Sequence, residues 1–342
     1  NLWKEFTPNS LLVVRNHSYL MKSLLTVQSL KKYFPLYGGL LSRVIGQVKA
    51  VDNVSFDIHE GEILGLVGES GCGKTTLGRM SLRLMQPTSG NVYFEEADIF
   101  KLNRREMASL RPKMQIIFQD PYSSLNPRFT VEQIIGEALS VHFKINGKEL
   151  REKVESLMEK VGLSSMYLNR YPHEFSGGQR QRIGIARALA LGPRYIVCDE
   201  PVSALDVSIQ AQIINLLQTL QQEENLSMLF ISHDLNVVKH LSQRTAVMYL
   251  GKIVELASTK KIANNPAHPY TQALLASKPS LDPKIRNRPT PLLGDVPSPL
   301  KPPSGCHFHP RCPKVMDRCK TEIPRQIELE EDHQVYCHLY DE

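Results

Sequence analysis

The sequence has few cysteines, little tryptophan and no long apolar run. Its 342 residues include six cysteines and one tryptophan. So few cysteines in a chain of this length exclude a secreted scaffold held together by disulfides. No run of about eighteen apolar residues occurs, so we expect no membrane-spanning helix. Arg15 and His17 interrupt the apolar residues near the N-terminus, and no small-residue cleavage site follows them, so we expect no signal peptide.

A large excess of charge of one sign is also lacking. The 41 basic and 35 acidic residues give a formal net charge of +6, which is too small by itself to indicate a nucleic-acid partner. The hydrophobic fraction of 42% is typical of a globular protein. The length allows about two or three domains. Residues 1–20 precede Met21, which reads as a natural start, and we treat them as an N-terminal extension without functional weight.

Patterns of apolar residues predict an α/β fold around a parallel sheet. Residues 48–70 read as two strands joined by a turn at Glu60–Gly61, and the second strand, "ILGLVG", is almost wholly apolar. A Gly-rich stretch and a helical pattern follow, which is the start of a βαβ unit. Residues 194–200 and the segment "SMLFISHD" predict further buried strands, and residues 25–35 predict an edge strand.

A stretch with helical periodicity lies between these strands. Residues 130–168 contain two segments with apolar residues three and four positions apart, and Thr130 with Gln133 forms a capping-box pattern at the first of them. We therefore predict an inserted helical subdomain at about residues 128–185.

The segment "GESGCGKTT" fits the phosphate-binding pattern G-x-x-x-x-G-K-[ST]. Its glycines let successive N–H groups point at phosphates, and the next helix adds its positive end. Lys74 is expected to reach the β- and γ-phosphates, and the Thr75 hydroxyl to bind Mg²⁺. The apolar strand before this segment and the helix after it argue against a chance Gly-rich turn. The predicted phosphate site consists of Gly68, Ser70, Gly71, Cys72, Gly73, Lys74, Thr75 and Thr76.

Two carboxylates stand at the end of a later buried strand. In "YIVCDEP", Asp199 can hold Mg²⁺ through water and Glu200 can polarise an attacking water. A pair of solvated acids at a strand end is the alternative, and the phosphate loop upstream favours the catalytic interpretation. Cys198 is predicted to be a small buried hydrophobic residue rather than a ligand.

The segment "FSGGQRQRIGIARAL" resembles the signature sequence of ATP-binding cassette (ABC) ATPases. Ser176 at a helix N-cap, followed by bare glycines, would expose a hydroxyl and N–H groups that suit an anion. An ordinary Gly-rich turn is the alternative, which the spacing to Asp199 disfavours. The resemblance implies that the γ-phosphate of ATP held by an opposing subunit is bound by Ser176, Gly177, Gly178 and Gln179.

Further residues are similar to other elements of the ABC family. The resemblance implies that Gln119 touches Mg²⁺ or the attacking water, that Asp206 in "SALD" lies at a dimer interface and that His233 in "ISHD" contacts the γ-phosphate. Phe34 is expected to stack on adenine, with Tyr33 as the alternative. The implied catalytic residues are Glu200, His233 and Gln119, and the implied Mg²⁺ ligands are Thr75, Gln119 and Asp199.

Longer stretches resemble one branch of that family, the ATPase subunits of dipeptide and oligopeptide importers. They are "AVDNVSF", "GESGCGKTTLGR", "IIFQDPYSSLNPR" and the tail from "NNPAHPYTQALLAS" to "GCHFHPRCP". The variants "PYSSLNPR" and "TTLGR" are similar to the second ATPase subunit type of these importers.

This resemblance implies partners and a location. The partners would be a sister ATPase, two permease subunits and an extracytoplasmic peptide-binding protein, with this chain at the cytoplasmic face of the cell membrane. The cargo would be dipeptides, oligopeptides or related compounds such as nickel chelates. Residues Tyr122–Arg128 would touch a permease subunit.

A repair-type ABC ATPase acting on nucleic acid is the competing class. Residues 278–325 contain ten Lys or Arg against four Asp or Glu, which would give a basic surface. A solvated basic connector is the preferred interpretation, because repair members carry C-x-x-C pairs and this sequence has none. We therefore expect no nucleic-acid partner.

Four cysteines gather at the C-terminal end with the spacing C-x5-C-x6-C-x17-C. The spacing alone leaves an iron–sulfur cluster, zinc and unliganded thiols open. The resemblance to peptide importers favours a [4Fe–4S] cluster with a structural role, and zinc is the alternative. The implied ligands are Cys306, Cys312, Cys319 and Cys337, and the histidines that could replace one of them in a zinc site are His307, His309, His333 and His338.

Proline-rich sequence separates this end from the rest of the chain. We predict a P-loop ABC ATPase domain of α/β class with the helical insertion, followed by a connector and a small Cys-rich module. The predicted boundaries are 1–20 for the extension, 21–260 for the nucleotide-binding domain, 261–305 for the connector, which holds a short helix at 269–277, and 306–342 for the module.

Overall fold

The computed structural model describes residues 23–38, 43–277 and 294–341. Strands and helices alternate through most of these ranges. The predicted extension at residues 1–20 lies outside the described residues, as does the stretch 278–293 of the predicted connector. The strands are β1 (Ser23–Gly38), β2 (Arg43–His59), β3 (Ile63–Val67), β4 (Ser89–Phe94), β5 (Ala97–Asp98), β6 (Met114–Ile117), β7 (Tyr195–Asp199), β8 (Ser227–Ser232), β9 (Arg244–Tyr249), β10 (Lys252–Ser258), β11 (Ile327–Glu330) and β12 (His333–Val335).

The helices lie between these strands and at the C-terminal end. Within the described ranges, none of them is both long enough and apolar enough to cross a membrane. They are α1 (Lys74–Ser81), α2 (Arg104–Leu110), α3 (Pro121–Ser124), α4 (Val131–Phe143), α5 (Gly147–Lys160), α6 (Gly177–Leu189), α7 (Val207–Glu224), α8 (Leu235–Leu241), α9 (Thr259–Asn264), α10 (Pro269–Ala276) and α11 (Asp317–Thr321).

The larger sheet determines which loops meet. Its strand order is β11-β12-β10-β9-β3-β8-β7-β6, and the five strands from β9 to β6 run parallel. The pairing places Val67 of β3 beside Ser232 of β8, and Asp199 of β7 beside Ile231. Parallel strands end at the same edge of a sheet, so the loops after β3, β7 and β8 come together there. The predicted parallel sheet and its three buried strands are confirmed.

The smaller sheet is antiparallel and has the order β2-β1-β4-β5. Residues 25–35 belong to β1, which lies between β2 and β4, so the prediction of an edge strand was wrong. The sequence pattern did not predict β4, which begins with three small or polar residues. This short strand pairs with β1 from Leu25 to Lys31 and so covers the edge that was expected to be free.

The predicted helical stretch contains α4 and α5. Thr130 forms the expected capping box, since its hydroxyl accepts from the Gln133 N–H and the Gln133 side chain accepts from the Thr130 N–H. The two helices pack with α6 around fully buried residues that include Ile135, Val154 and Ile183. A common apolar interior therefore joins the inserted helices to the signature helix α6.

The C-terminal segment is not a separate module, contrary to the prediction. β12 pairs with β10, so β12 and β11 extend the larger sheet. Phe308 is buried in the main core, with its ring centroid 5.3 Å from that of Tyr249 and 5.4 Å from that of Tyr270. A short segment with few apolar side chains cannot bury a core of its own, so it packs on the existing one. The boundaries at residues 260 and 305 stay predictions.

Glu255 is a buried carboxylate that joins β10 to the segments that follow. Its oxygens accept from the N–H groups of Ala267 at 2.7 Å and His268 at 2.9 Å, and His333 Nε2 lies 2.9 Å away. Glu255→Ala would leave these donors unpaired in the core. We expect the free energy of unfolding, measured in urea, to fall by about 3 kcal/mol.

Glu328 on β11 is the matched control, because it is an exposed glutamate in the same sheet. Glu328→Ala should change the free energy of unfolding by less than about 0.5 kcal/mol. An equally small change for Glu255→Ala would contradict the prediction.

Candidate functional site

The loop between β3 and α1 folds around the ammonium group of Lys74. Lys74 Nζ donates to the carbonyl oxygen of Gly68 at 2.8 Å and to that of Glu69 at 3.1 Å. Gly73 has a φ of 109°, and a Cβ there would lie 2.0 Å from the Ala50 carbonyl oxygen, so only glycine fits. The N–H groups at the start of α1 add to the positive field. This loop and the first turn of α1 together contain all the predicted phosphate-binding residues, and they fit an anion.

Thr75 and Asp199 bring two oxygen ligands together at the sheet edge. The Thr75 hydroxyl donates to Asp199 Oδ1 at 2.8 Å, and Asp199 is 2% exposed. Burial raises the pKa of Asp199, and the hydrogen bond from Thr75 opposes that shift. A hydroxyl and a carboxylate are ligands that Mg²⁺ prefers, so this pair fits the predicted metal.

Glu200 is the point at which the predicted catalytic residues meet. Gln119 Nε2 donates to Glu200 Oε2 at 3.1 Å, and His233 Nδ1 lies 3.4 Å from the same oxygen. Lys74 Nζ lies 3.7 Å from Glu200 Oε1. Glu200 also has a φ of 46°, in the left-handed region that a residue with a Cβ rarely adopts. The fold thus holds this carboxylate in a strained backbone position among three polar partners.

The signature residues form the N-terminus of α6. The Ser176 hydroxyl accepts from the Gln179 N–H, and the Gln179 side chain accepts from the Ser176 N–H, which is a capping box. A Cβ on Gly177 would lie 3.4 Å from Leu205, so the signature turn packs beside the "SALD" segment. Asp206 is the N-cap residue of α7, and its carbonyl accepts from the Gln210 N–H at 2.8 Å. The signature residues and the "SALD" segment therefore lie together.

The two candidate aromatic residues are held differently. The Tyr33 hydroxyl donates to Asp52, and Asp52 also pairs with Lys252 at 3.0 Å. Phe34 follows Tyr33 in β1 and therefore faces the other side of the strand, where Lys32 Nζ lies 5.1 Å from the centre of its ring. The hydroxyl of Tyr33 is thus engaged within the β1–β2 hairpin, whereas Phe34 has no hydroxyl to engage.

The four C-terminal thiols lie near one another. The Cys306 N–H donates to the Cys319 carbonyl at 2.9 Å, and burial raises the pKa of Cys306 and of Cys337 to about 11, with the neighbouring thiols adding to the effect. However, the described part of the chain contains no group of three His, Cys, Asp or Glu side chains arranged to hold a metal ion. The predicted [4Fe–4S] cluster, with ligands Cys306, Cys312, Cys319 and Cys337, is therefore not supported. The spacing of the cysteines in the sequence indicates how many thiols are available, whereas the fold decides whether they are arranged to bind a metal together.

The histidines proposed as substitutes in a zinc site have other partners. His307 Nδ1 lies 3.1 Å from the Leu250 carbonyl, and His309 Nδ1 lies 3.0 Å from the Cys306 carbonyl. His333 pairs with the buried Glu255, and His338 Nδ1 lies 3.0 Å from Asp341. Because each of the four histidines already has a partner, we interpret them as structural residues.

Sequence reasoning missed a second layer behind the phosphate loop. Arg311 Nη1 donates to Glu69 Oε2 at 2.8 Å, and Arg311 Nη2 donates to Glu69 Oε1 at 3.1 Å. The Glu69 N–H donates to the Tyr270 hydroxyl at 3.0 Å. Glu69 and Arg311 are 242 positions apart, and no pattern in a single sequence links them.

Comparison with known proteins supports the fold and identifies the family. The model of the ABC transporter family matches residues 51–203, and that of the oligopeptide/dipeptide transporter C-terminal region matches residues 254–319. The oligopeptide transport ATP-binding protein AppF of Bacillus subtilis is 53% identical over 322 residues, which cover 93% of this chain and 98% of AppF. This chain belongs to the family of peptide ABC transporter ATP-binding proteins.

Other members and solved structures agree with that assignment. The probable peptide ABC transporter ATP-binding protein y4tS of Sinorhizobium fredii is 51% identical, over 93% of this chain and 90% of y4tS. The dimeric structure of the ATP-binding cassette MJ0796 bound to ADP and Pi has a TM-score of 0.62 and 28% identity, and the match covers 69% of this chain and 98% of that one. The predicted ABC ATPase fold is confirmed, and these relatives do not support the nucleic-acid alternative.

The buried Asp199 carboxylate makes the stability of this ABC ATPase depend on pH. Because the pKa of Asp199 is raised in the folded state, its charge destabilises the fold above that pKa, and the effect disappears below the ordinary value of 3.8. Asp199→Asn removes the charge and keeps the size. We expect the nucleotide-free variant to melt roughly a few degrees higher than the wild type at neutral pH, with a smaller difference in acid.

The exposed Asp295 supplies the control, since Asp295→Asn removes the same charge from the surface. That control should leave the melting temperature unchanged. A lower melting temperature for Asp199→Asn at neutral pH would show that the charge itself stabilises the site.

Proposed function

We propose that this chain hydrolyses ATP to drive the uptake of dipeptides or oligopeptides through separate permease subunits. The observation that carries the proposal is the position of Glu200, which has Gln119, His233 and Lys74 around its carboxylate at the edge of an ABC ATPase sheet. The cargo class rests on relatives named for oligopeptide and peptide transport that match over nearly the whole chain. Related cargo such as nickel chelates is the alternative, and its uptake would depend on the same hydrolysis of ATP.

The phosphates of ATP would lie in the loop Gly68–Thr76. Lys74 now binds backbone carbonyls of that loop, and phosphate oxygens would replace them as acceptors. Thr75 and Asp199, assisted by Gln119, would hold Mg²⁺, whose charge neutralises the phosphates when it is bound. Each of these groups binds or orients the nucleotide before any bond breaks.

Glu200 would act as the general base. Its carboxylate is held at the point where a water aligned with the γ-phosphate would lose a proton. His233 and Gln119 share Glu200 Oε2, so they fix the direction of the carboxylate and keep its other oxygen toward Lys74. The left-handed backbone of Glu200 is consistent with a residue placed for chemistry rather than for stability.

A second subunit would complete the site. The signature residues Ser176–Gln179 pack against Leu205 and lie beside Asp206. In the phosphate loop of the same chain, Lys74 instead donates to a backbone carbonyl of that loop. The N–H groups of Gly177 and Gly178, at the start of the thirteen-residue helix α6, suit a phosphate presented by an opposing ATPase. We propose a heterodimer with a sister ATPase, in which the signature residues of each subunit face the nucleotide of the other.

Phe34 is our proposed adenine contact. Tyr33 uses its hydroxyl to hold Asp52, so moving it onto a base would break the hairpin contacts. Phe34 would stack on adenine without such a loss.

Permease contact is proposed for Tyr122–Arg128. Tyr122 is 64% exposed although its ring lies 3.8 Å from the Arg180 guanidinium of the signature helix. A permease segment bound at Tyr122 would therefore be linked to α6 by one contact. We propose that the chain lies at the cytoplasmic face of the membrane and that an extracytoplasmic peptide-binding protein delivers the cargo.

Glu200→Gln tests the catalytic proposal. The variant keeps the shape of the site and removes the base, so we expect ATP to bind while its hydrolysis slows by at least about a hundredfold. Binding is measured by calorimetry and turnover by phosphate release. Glu223→Gln, at an exposed position on α7, is the control and should turn over normally.

The transport proposal is tested in cells that lack this chain. The wild-type gene should restore uptake of a labelled oligopeptide, and the Glu200→Gln gene should not. Normal ATP turnover by the variant, or peptide uptake without the wild-type chain, would contradict the proposal.

A finer proposal concerns the C-terminal thiols. The proposal of an iron–sulfur cluster on Cys306, Cys312, Cys319 and Cys337, with zinc as the alternative, rests on the resemblance to peptide importers and on the nearness of the thiols to one another, and their arrangement in this structure is not that of a ligand set. A metal would require the thiols to ionise and turn toward one another. We expect anaerobically purified protein to contain iron and sulfide and Cys319→Ser to lose them, whereas zinc or no metal would refute the cluster.

A further inference from the structure

The ion pair between Glu69 and Arg311 connects the C-terminal segment to the phosphate loop. Glu69 is the second residue of the phosphate loop, and Arg311 lies between Cys306 and Cys312 in the C-terminal segment. We propose that Arg311 is a positioning residue for ATP, which acts through Glu69 to hold the phosphate loop in its binding shape. The inference rests on the proposed function, because it assumes that the loop binds ATP.

The geometry of this pair is that of a specific, rigid contact. Two N–H groups of Arg311 meet the two carboxylate oxygens of Glu69 at 2.8 and 3.1 Å, and Nη1 also lies 3.4 Å from the Tyr249 hydroxyl. The Arg311 side chain is 4% exposed and the Glu69 side chain is 23% exposed. A paired, two-point contact of this kind fixes direction as well as distance, which a lysine could not do.

Glu69 also contacts Lys74, the residue that would bind the phosphates. Its carbonyl oxygen accepts from Lys74 Nζ at 3.1 Å and from the Cys72 N–H at 3.3 Å. Its N–H donates to the Tyr270 hydroxyl, so side chain, donor and acceptor of Glu69 are all engaged. A rotation of Glu69 would therefore move the carbonyl that orients Lys74.

The position of Arg311 is in turn determined by the core. The Arg311 N–H donates to the Phe308 carbonyl at 3.0 Å, and Phe308 is buried against Tyr249 and Tyr270. The same two tyrosines contact Arg311 and Glu69 through their hydroxyls. The C-terminal segment thus reaches the phosphate loop through one packed cluster, rather than through a loose surface contact.

Stability alone is a poor explanation for this pair. The C-terminal segment is already joined to the sheet by β12 and to the core by Phe308. Removing charges from water offsets much of the attraction in a buried ion pair, so such pairs often contribute little net stability. A contact that adds little to the free energy of folding and involves a residue of the phosphate loop is better explained as holding that loop in position.

A double-mutant cycle in the full-length protein tests the inference. We expect Arg311→Gln to weaken binding of a non-hydrolysable ATP analogue about tenfold, since one charge-assisted contact is lost. Arg311→Lys should also weaken binding because the two-point contact is lost. Glu69→Gln should match Arg311→Gln, and the double variant should be no weaker than either single variant, because both changes remove one interaction.

Arg325→Gln is the matched control, because Arg325 lies in the same segment and pairs with Asp341, away from the phosphate loop. It should leave the dissociation constant of the analogue unchanged. Unchanged binding in Arg311→Gln, or single effects that add fully in the double variant, would overturn the inference. If Arg311→Gln does not fold, the cycle built from Arg311→Lys and Glu69→Gln decides in the same way. A wild-type protein that fails to bind the analogue would instead refute the proposed function, on which the inference rests.

Discussion

The candidate site depends on the parallel pairing of β3 with β8 and of β8 with β7. This pairing makes three loops end at one edge of the sheet, and each loop supplies a different group. The loop after β3 supplies Lys74 and Thr75, the end of β7 supplies Asp199 and Glu200, and the end of β8 supplies His233. A slip in either register would separate groups that now lie within 4 Å of one another.

Charge balance limits what this edge can hold. Two neighbouring carboxylates are kept close to Lys74, one of them buried and one with a left-handed backbone. Burial raises the pKa of Asp199, so the fold disfavours the negative charge that a bound cation would favour. Binding of Mg²⁺ and ATP would therefore offset the unfavourable negative charge at this edge, so nucleotide binding would increase the stability of the protein.

The C-terminal segment extends this dependence beyond the cassette. It has too little apolar surface to fold alone, and it packs Phe308 into the core and β12 onto β10. This packing brings Arg311 to the phosphate loop from behind. The segment that matches the oligopeptide/dipeptide transporter C-terminal region is thus also the segment that contacts the phosphate loop.

Much of this protein could be predicted from its sequence, because the information is local. Strand, Gly-rich loop and helix determine the phosphate site, the apolar runs determine β3, β7 and β8, and Thr130 with Gln133 determines the start of α4. Only the tertiary structure decided the interior place of β1, the position of the C-terminal strands in the larger sheet, the arrangement of the four thiols and the Glu69–Arg311 pair. These features depend on contacts between residues far apart in the chain, and such contacts follow from packing and hydrogen bonding in the folded state rather than from the spacing of residue types.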